Sequence, residues 1–230
     1  MKKIFSSIII CAMALFTACN TNIPEIPNDT FPTEQENNIK REAVDMGLSV
    51  KWATCNVGAS KSEEYGDYFA WGETKPKSIY NWSTYKWCDD NGNILTRYNT
   101  NSNYGSVDKK NTLEPSDDAA TVNWGGSWRT PTEDEWLELI NHCTRQWTRQ
   151  NNVYGYRITS KITGKTIFLP AAGCRLNDYF HKIDDACFYW SSSLLSNNPT
   201  NSWNMIFSIS DEDWTFYSRF CGQSVRPVCP

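Results

Sequence analysis

The spacing of hydrophobic positions changes twice along this chain. From Ile4 to Phe16 they are contiguous apart from Ser6 and Ser7, directly behind Met1, Lys2 and Lys3. A short apolar run with a positive start predicts a secretory leader, and it is too short to span a bilayer as a permanent helix. Over residues 20–40 large apolar side chains become sparse, and Pro24, Pro27 and Pro32 stand among Asn, Thr and Glu. Such a stretch cannot bury enough surface to offset the entropy of ordering it, so it is predicted to be a tether. The expected organisation is therefore a leader over 1–18, a tether from Cys19 over 19–43, and one folded domain over 44–230.

Within that domain, residues 48–53 alternate as a half-buried strand does, and 65–72 read as a second short strand punctuated by Gly66 and Gly72. Residues 75–123 show no clean period and predict a long irregular excursion. A helix is then expected from Thr130 or Thr132 through about Cys143. Pro131 suits its first turn, Glu133, Asp134 and Glu135 suit its positive end, and Trp136, Leu139, Ile140 and Cys143 form one apolar stripe. Thr163 and Gly164 sit between runs 154–162 and 165–170, which predicts a hairpin. A second hairpin is expected from 202–209 and 214–217 around a turn at 210–213, and a closing strand at 224–228. Many short strands, one main helix and long loops define an α+β fold.

Eleven Trp, eleven Tyr and ten Phe suit a loop-rich domain whose rings pin irregular segments. The formal charge is -4, and losing Lys2 and Lys3 with the leader would leave -6. With no basic stripe, nucleic acid is not an expected partner, and anionic headgroups are not expected to attract the domain.

Leu15, Phe16, Thr17 and Ala18 precede Cys19 at the end of the apolar run. Small residues before a Cys there resemble the bacterial lipobox, although Phe16 stands where Leu is usual. The resemblance implies a diacylglyceryl thioether on Cys19, and several acyl chains hold a protein on a membrane where one does not. Seven Cys follow, at 55, 88, 143, 174, 187, 221 and 229. Export permits disulfides, while the lack of a CxxC pair and the presence of only His142 and His181 argue against a closed zinc site. Asp117 and Asp118 are expected to cap or to be solvated, since no spaced series of oxygen ligands follows them. No GxSxG, HExxH or phosphate-cradling loop is present, so no catalytic set and no cofactor are expected.

Five ordered blocks resemble one family. They are 44–58 (Val44 to Gly58, including Trp52 and Cys55), 124–132 with Trp128-Arg129-Thr130-Pro131-Thr132, 169–173, 189–193 and 224–228. Together they are similar to the Fibrobacter succinogenes major paralogous domain of exported Bacteroidetes and Fibrobacter proteins. That family looks related to the C-type lectin-like fold of formylglycine-generating enzymes and retroelement-diversified proteins. The resemblance implies an extracytoplasmic binding scaffold at the outer membrane or cell surface, with a protein or glycan ligand. It implies a Cys143–Cys229 bridge from helix to final strand. It also implies ligand contacts in the stretch 194–219, at Asn201, Asn204, Asp211, Asp213, Trp214 and Tyr217, with Trp203 and Phe207 facing the core. Cys221 and Cys229 lie where the formylglycine-generating relatives carry a Cys pair, but their surroundings do not match that active site. A structural subunit of a fimbria-like assembly is the alternative, and a Cys-dependent enzyme is a more distant one.

The leader reading makes a direct prediction. In a lipoprotein-processing bacterium the full chain should incorporate labelled palmitate and enter the detergent phase, and Cys19→Ser should lose both properties.

Overall fold

The computed structural model describes residues 41–89, 93–208 and 212–230, except the side chains of Glu212, Asp213 and Trp214. The apolar leader, Cys19 and residues 20–40 lie outside the described residues. The fold is mixed α+β and mostly strand. Strands β1 (Ala43–Val44) and β2 (Lys51–Ala53) open it, and a long segment follows whose described residues form only single 3-10 turns and isolated bridges. Helices α1 (Ala119–Trp124) and α2 (Glu133–His142) come next. The remaining strands are β3 (Cys143–Gln150), β4 (Val153–Ser160), β5 (Thr166–Pro170), β6 (Cys174–Leu176) and β7 (Tyr179–His181), then β8 (Ala186–Leu194), β9 (Asn201–Ser208), β10 (Glu212–Ser218) and β11 (Val228–Cys229). They form small sheets ordered β1-β2-β11, β3-β4-β5, β6-β7 and β10-β9-β8. Every pairing within them is antiparallel.

Of the two caps the sequence offers, Thr130 and Thr132, it is Thr132 that starts α2. Its hydroxyl accepts the Glu135 N–H at 3.3 Å while the Glu135 carboxylate accepts the Thr132 N–H at 2.8 Å, a reciprocal cap. Arg129 closes the same corner with two bonds to Glu135 at 2.7 and 2.5 Å. Burial alone would raise the Glu135 pKa, but these bonds hold it below the usual carboxylate value. The helix ends at His142, and Cys143 turns directly into β3. That strand is not evident in the sequence because Thr144, Gln146 and Arg149 are exposed and Cys143 alone is fully buried.

Both expected hairpins form, β4 with β5 and β9 with β10, but Glu212 and Asp213, expected in the second turn, already pair with Phe207 and Ile206 at the start of β10. Two expected strands do not form. Residues 65–72 make only an isolated bridge, Phe69 with Gln223. Tyr68, Phe69, Ala70 and Trp71 are all buried, so this segment has no exposed face and threads the core rather than lining it. The closing segment 224–228 likewise bridges as an irregular chain through Ser224, with strand only at Val228 and Cys229.

Two aromatic clusters make up most of the core. In one, Trp136 contacts Trp52 at 4.6 Å and Tyr189 at 5.6 Å, with Phe207 and Leu169 around them. In the other, Trp71 meets Tyr98 at 5.1 Å beside Phe69 and Trp190. Two arginines are sealed inside with 0% exposure, Arg219 and Arg226. Arg226 donates to Asn56 Oδ1 at 2.8 Å, to the Ala53 carbonyl at 3.0 Å and to the Phe168 carbonyl at 2.9 Å. Burial pulls its pKa below the ordinary guanidinium value. Arg219 donates to Tyr85 Oη at 2.9 Å and to the carbonyls of Tyr98, Pro199 and Arg97 at 3.1, 2.8 and 3.0 Å.

A lysine at 226 keeps the charge but cannot reach three separated acceptors with one planar fork. Arg226→Lys is expected to lower unfolding free energy by about 2–4 kcal/mol, read as an earlier urea midpoint. An unchanged midpoint would show that these oxygens find other partners.

Candidate functional site

Along β9 the side chains alternate between two faces of the sheet. Met205 and Phe207 are fully buried on one face, where Phe207 meets Trp136 at 6.3 Å and Tyr156 at 5.5 Å. The same face continues past the edge of that core to Trp203 and Asn201, which are only half-buried. On β10, Phe216 pairs with Trp203, and the two rings meet nearly perpendicular at 6.1 Å. Phe216 is 48% exposed.

Beside Trp203 lies an open groove of about 420 Å³. A break in register between Trp190 and Leu194 separates the ends of β8 and β9, and the Ser191 hydroxyl bridges the gap by donating to the Trp203 carbonyl at 2.9 Å. Residues 111–113 run along the freed edge of β8. There Leu194 N–H donates to Asn111 O at 2.8 Å, and Leu113 N–H donates to Ser192 O at 3.0 Å. The start of α2 joins the wall through Glu133 N–H, which donates to Ser193 Oγ at 3.1 Å. The far wall is the loop 195–200, turned by Asn198 N–H to Leu195 O at 2.9 Å and tied back by Thr100 Oγ1 to Ser196 O at 2.6 Å. Asn111, Thr112, Ser193, Ser196 and Asn197 supply uncharged polar groups to the lining, and Glu133 supplies the one charge among the described lining residues.

The structure redistributes the predicted contacts. Asn201 stands half-buried at the end of β9, next to this loop. Asn204 is fully buried and is not a surface contact, since its Nδ2 donates to Gln223 Oε1 at 3.0 Å inside the domain. Tyr217 lies on the opposite face from Trp203, half-buried with its ring against Phe188 at 5.9 Å, and burial pushes its phenol up to about 12. Trp203, expected in the core, instead lines the groove, while Phe207 is in the core as expected. The backbone register sets Asp213 opposite Ile206 and Trp214 opposite Met205. Their side chains and all of Asp211 lie outside the described residues. Phe216, Ser193 and Asn197 were missed. Only the polar and aromatic composition of 194–219 hinted at them, because the sequence does not show where β9 outruns the core.

Cys143 and Cys229 form no bridge. Cys143 is buried opposite Ser160 in one sheet, and Cys229 is half-buried opposite Lys51 in another. All seven described cysteines are free thiols. The Asp118 carboxylate accepts N–H groups of Ala120 at 2.8 Å and Thr130 at 2.9 Å, and the Thr130 hydroxyl at 2.7 Å. Asp117 accepts the Tyr98 hydroxyl at 2.7 Å and pairs with Arg97 at 3.0 Å. Both acids therefore do structural work, as caps and clamps. Compared with protein-family profiles, with curated proteins and with solved structures, the chain matches none.

Because Asn204 is a core residue, Asn204→Ala should act on folding, leaving the buried Gln223 amide oxygen without its donor. The expected loss is about 1–3 kcal/mol, measured by urea denaturation. Wild-type stability in this variant would return Asn204 to the list of surface candidates.

Proposed function

We propose that the chain is a non-enzymatic, lipid-anchored binding protein of the cell envelope, of the Fibrobacter succinogenes major paralogous domain family. In this reading the domain has a C-type lectin-like fold and holds its ligand in the groove beside the β9–β10 hairpin. The observation that carries the proposal is the Trp203–Phe216 pair, two aromatic rings left partly open to solvent beside a depression lined mostly by uncharged polar groups. Rigid aromatic anchors beside adaptable polar groups are the composition of recognition surfaces.

Two further observations support the family and the fold. The blocks that carry the resemblance meet in space. Arg226 of the last block bonds Ala53 of the first and Phe168 beside the third, and Arg129 of the second bridges Val228. The first and last strands, β1 and β11, also flank the same strand β2, so a long irregular excursion is closed at its base. Thiol chemistry is disfavoured because burial pushes Cys174 up to about 12 and also raises Cys221 and Cys229. A second reading, a subunit of a surface assembly, draws support from β10, which lies at an outer edge of its sheet where another chain can add a strand.

The test is an array of glycans and extracellular-matrix proteins probed with the full chain in detergent micelles, beside Trp203→Ala and Tyr217→Ala. Capture lost in Trp203→Ala and kept in Tyr217→Ala is the expected result. Capture indifferent to Trp203 would refute the groove as the site. No capture, together with polymers in envelope extracts, would favour the assembly subunit.

A further inference from the structure

We infer that the groove takes an uncharged carbohydrate, seated on the Trp203 ring and held without a bound metal ion. This inference rests on the reading of the groove as the binding site and narrows it to one ligand chemistry.

The first argument is charge. Among the described residues no lysine or arginine lines the groove, and the one ionic side chain in that lining, Glu133, is an acid. A phosphate, sulfate or uronate there would meet a carboxylate and find no lysine or arginine among the described lining residues to pair with, which costs rather than gains free energy. A cation-bridged sugar is disfavoured too. Hard cations require several oxygen ligands, and a single carboxylate among amides and hydroxyls is a poor set. Among the described residues no group of three His, Cys, Asp or Glu side chains could hold a metal ion.

The second argument is the match of donors and acceptors. A sugar presents hydroxyls that both donate and accept, on a ring whose C–H face is apolar. Asn111 and Asn197 offer amides that do both, Thr112 and Ser193 offer hydroxyls, and Glu133 accepts from hydroxyl donors. Trp203 supplies the apolar platform, with Phe216 set edge-on beside it at 79°.

The third argument is shape. A hollow of about 420 Å³ falls within the size range of small-ligand sites. Its open mouth leaves room for a longer chain to pass through. A protein partner fits less well. The fully buried centre of a protein interface is apolar, whereas here Leu194 and Leu195 are buried beneath a polar lining.

The experiment uses the full chain in detergent micelles. The array carries neutral oligosaccharides, sulfated and uronate-containing oligosaccharides, and extracellular-matrix proteins, each probed with and without EDTA. The expected result is capture by one or more neutral oligosaccharides, unchanged by EDTA. Binding should weaken by about tenfold or more in Trp203→Ala, and should also weaken in Asn197→Ala, an exposed position that carries little risk to folding. Capture by acidic sugars alone, or capture abolished by EDTA, would overturn the inference. So would a neutral sugar held equally well by both variants. A matrix protein captured through Trp203 would overturn the carbohydrate assignment and leave the binding reading standing. Capture of nothing would overturn both.

Discussion

Two guanidinium groups in the interior are the constraint on which the rest of this structure depends. Moving a charge out of water costs several kcal/mol even after relaxation. Arg219 and Arg226 offset that cost through bonds to neutral oxygens: peptide carbonyls, an amide and a phenol. Each planar fork has donors pointing in several directions, so each draws together segments far apart in the chain. Arg226 joins residues near 53–56 to 168, and Arg219 joins 85, 97–98 and 199. In a domain with little regular structure between residues 54 and 118, these bonds replace the ladder a long strand would have provided. The Arg219 guanidinium also lies 5.0 Å from the Trp71 ring and 5.2 Å from Tyr85, so aromatic faces add to its stabilisation.

The same constraint reaches the groove. Pro199, in the loop that walls it, accepts from Arg219, and Thr200 O accepts the Arg219 N–H at 3.1 Å. The loop is therefore fastened to the core at its C-terminal side, while Ser196 and Asn197 remain exposed at its tip. Fixed loop ends and a rigid aromatic strand edge reduce the ordering cost of ligand binding. Polar variation at the loop tip changes the lining without disturbing the buried arginine.

What the sequence reveals of this fold follows its local signals. The α2 cap is legible because Thr132 and Glu135 act across one turn, and the two hairpins are legible because alternation and turn residues lie close together. The 65–72 segment misleads because its aromatics are spaced as in a strand while all four central side chains are buried. Burial on every side is a tertiary fact with no local signature. The candidate site shows the same limit. Composition leads to the right hairpin, but not to the right residues on it. Trp203 and Phe207 share a face by parity, and only the extent of the core beneath them decides that one is buried and the other half-open. Asn204 has the polarity of a contact residue, yet its partner Gln223 lies across the fold.

The pairing of β1 with β2 has a mechanical consequence. Arg41 donates to the backbone carbonyls of Trp124 and Asn123, β1 contributes only Ala43 and Val44, and Met46 is the first fully buried side chain among the described residues. A pull applied at Arg41 would therefore peel residues 41–45 first, lifting Val44 off the edge of the core while the fully buried side chains stay seated. Paying out residues 41–45 would lengthen the molecule by roughly 17 Å at full extension, with both aromatic clusters and both buried arginines still in place. The start of the domain is a compliant element in series with a stiff one, so a small displacement is absorbed there before the groove feels it.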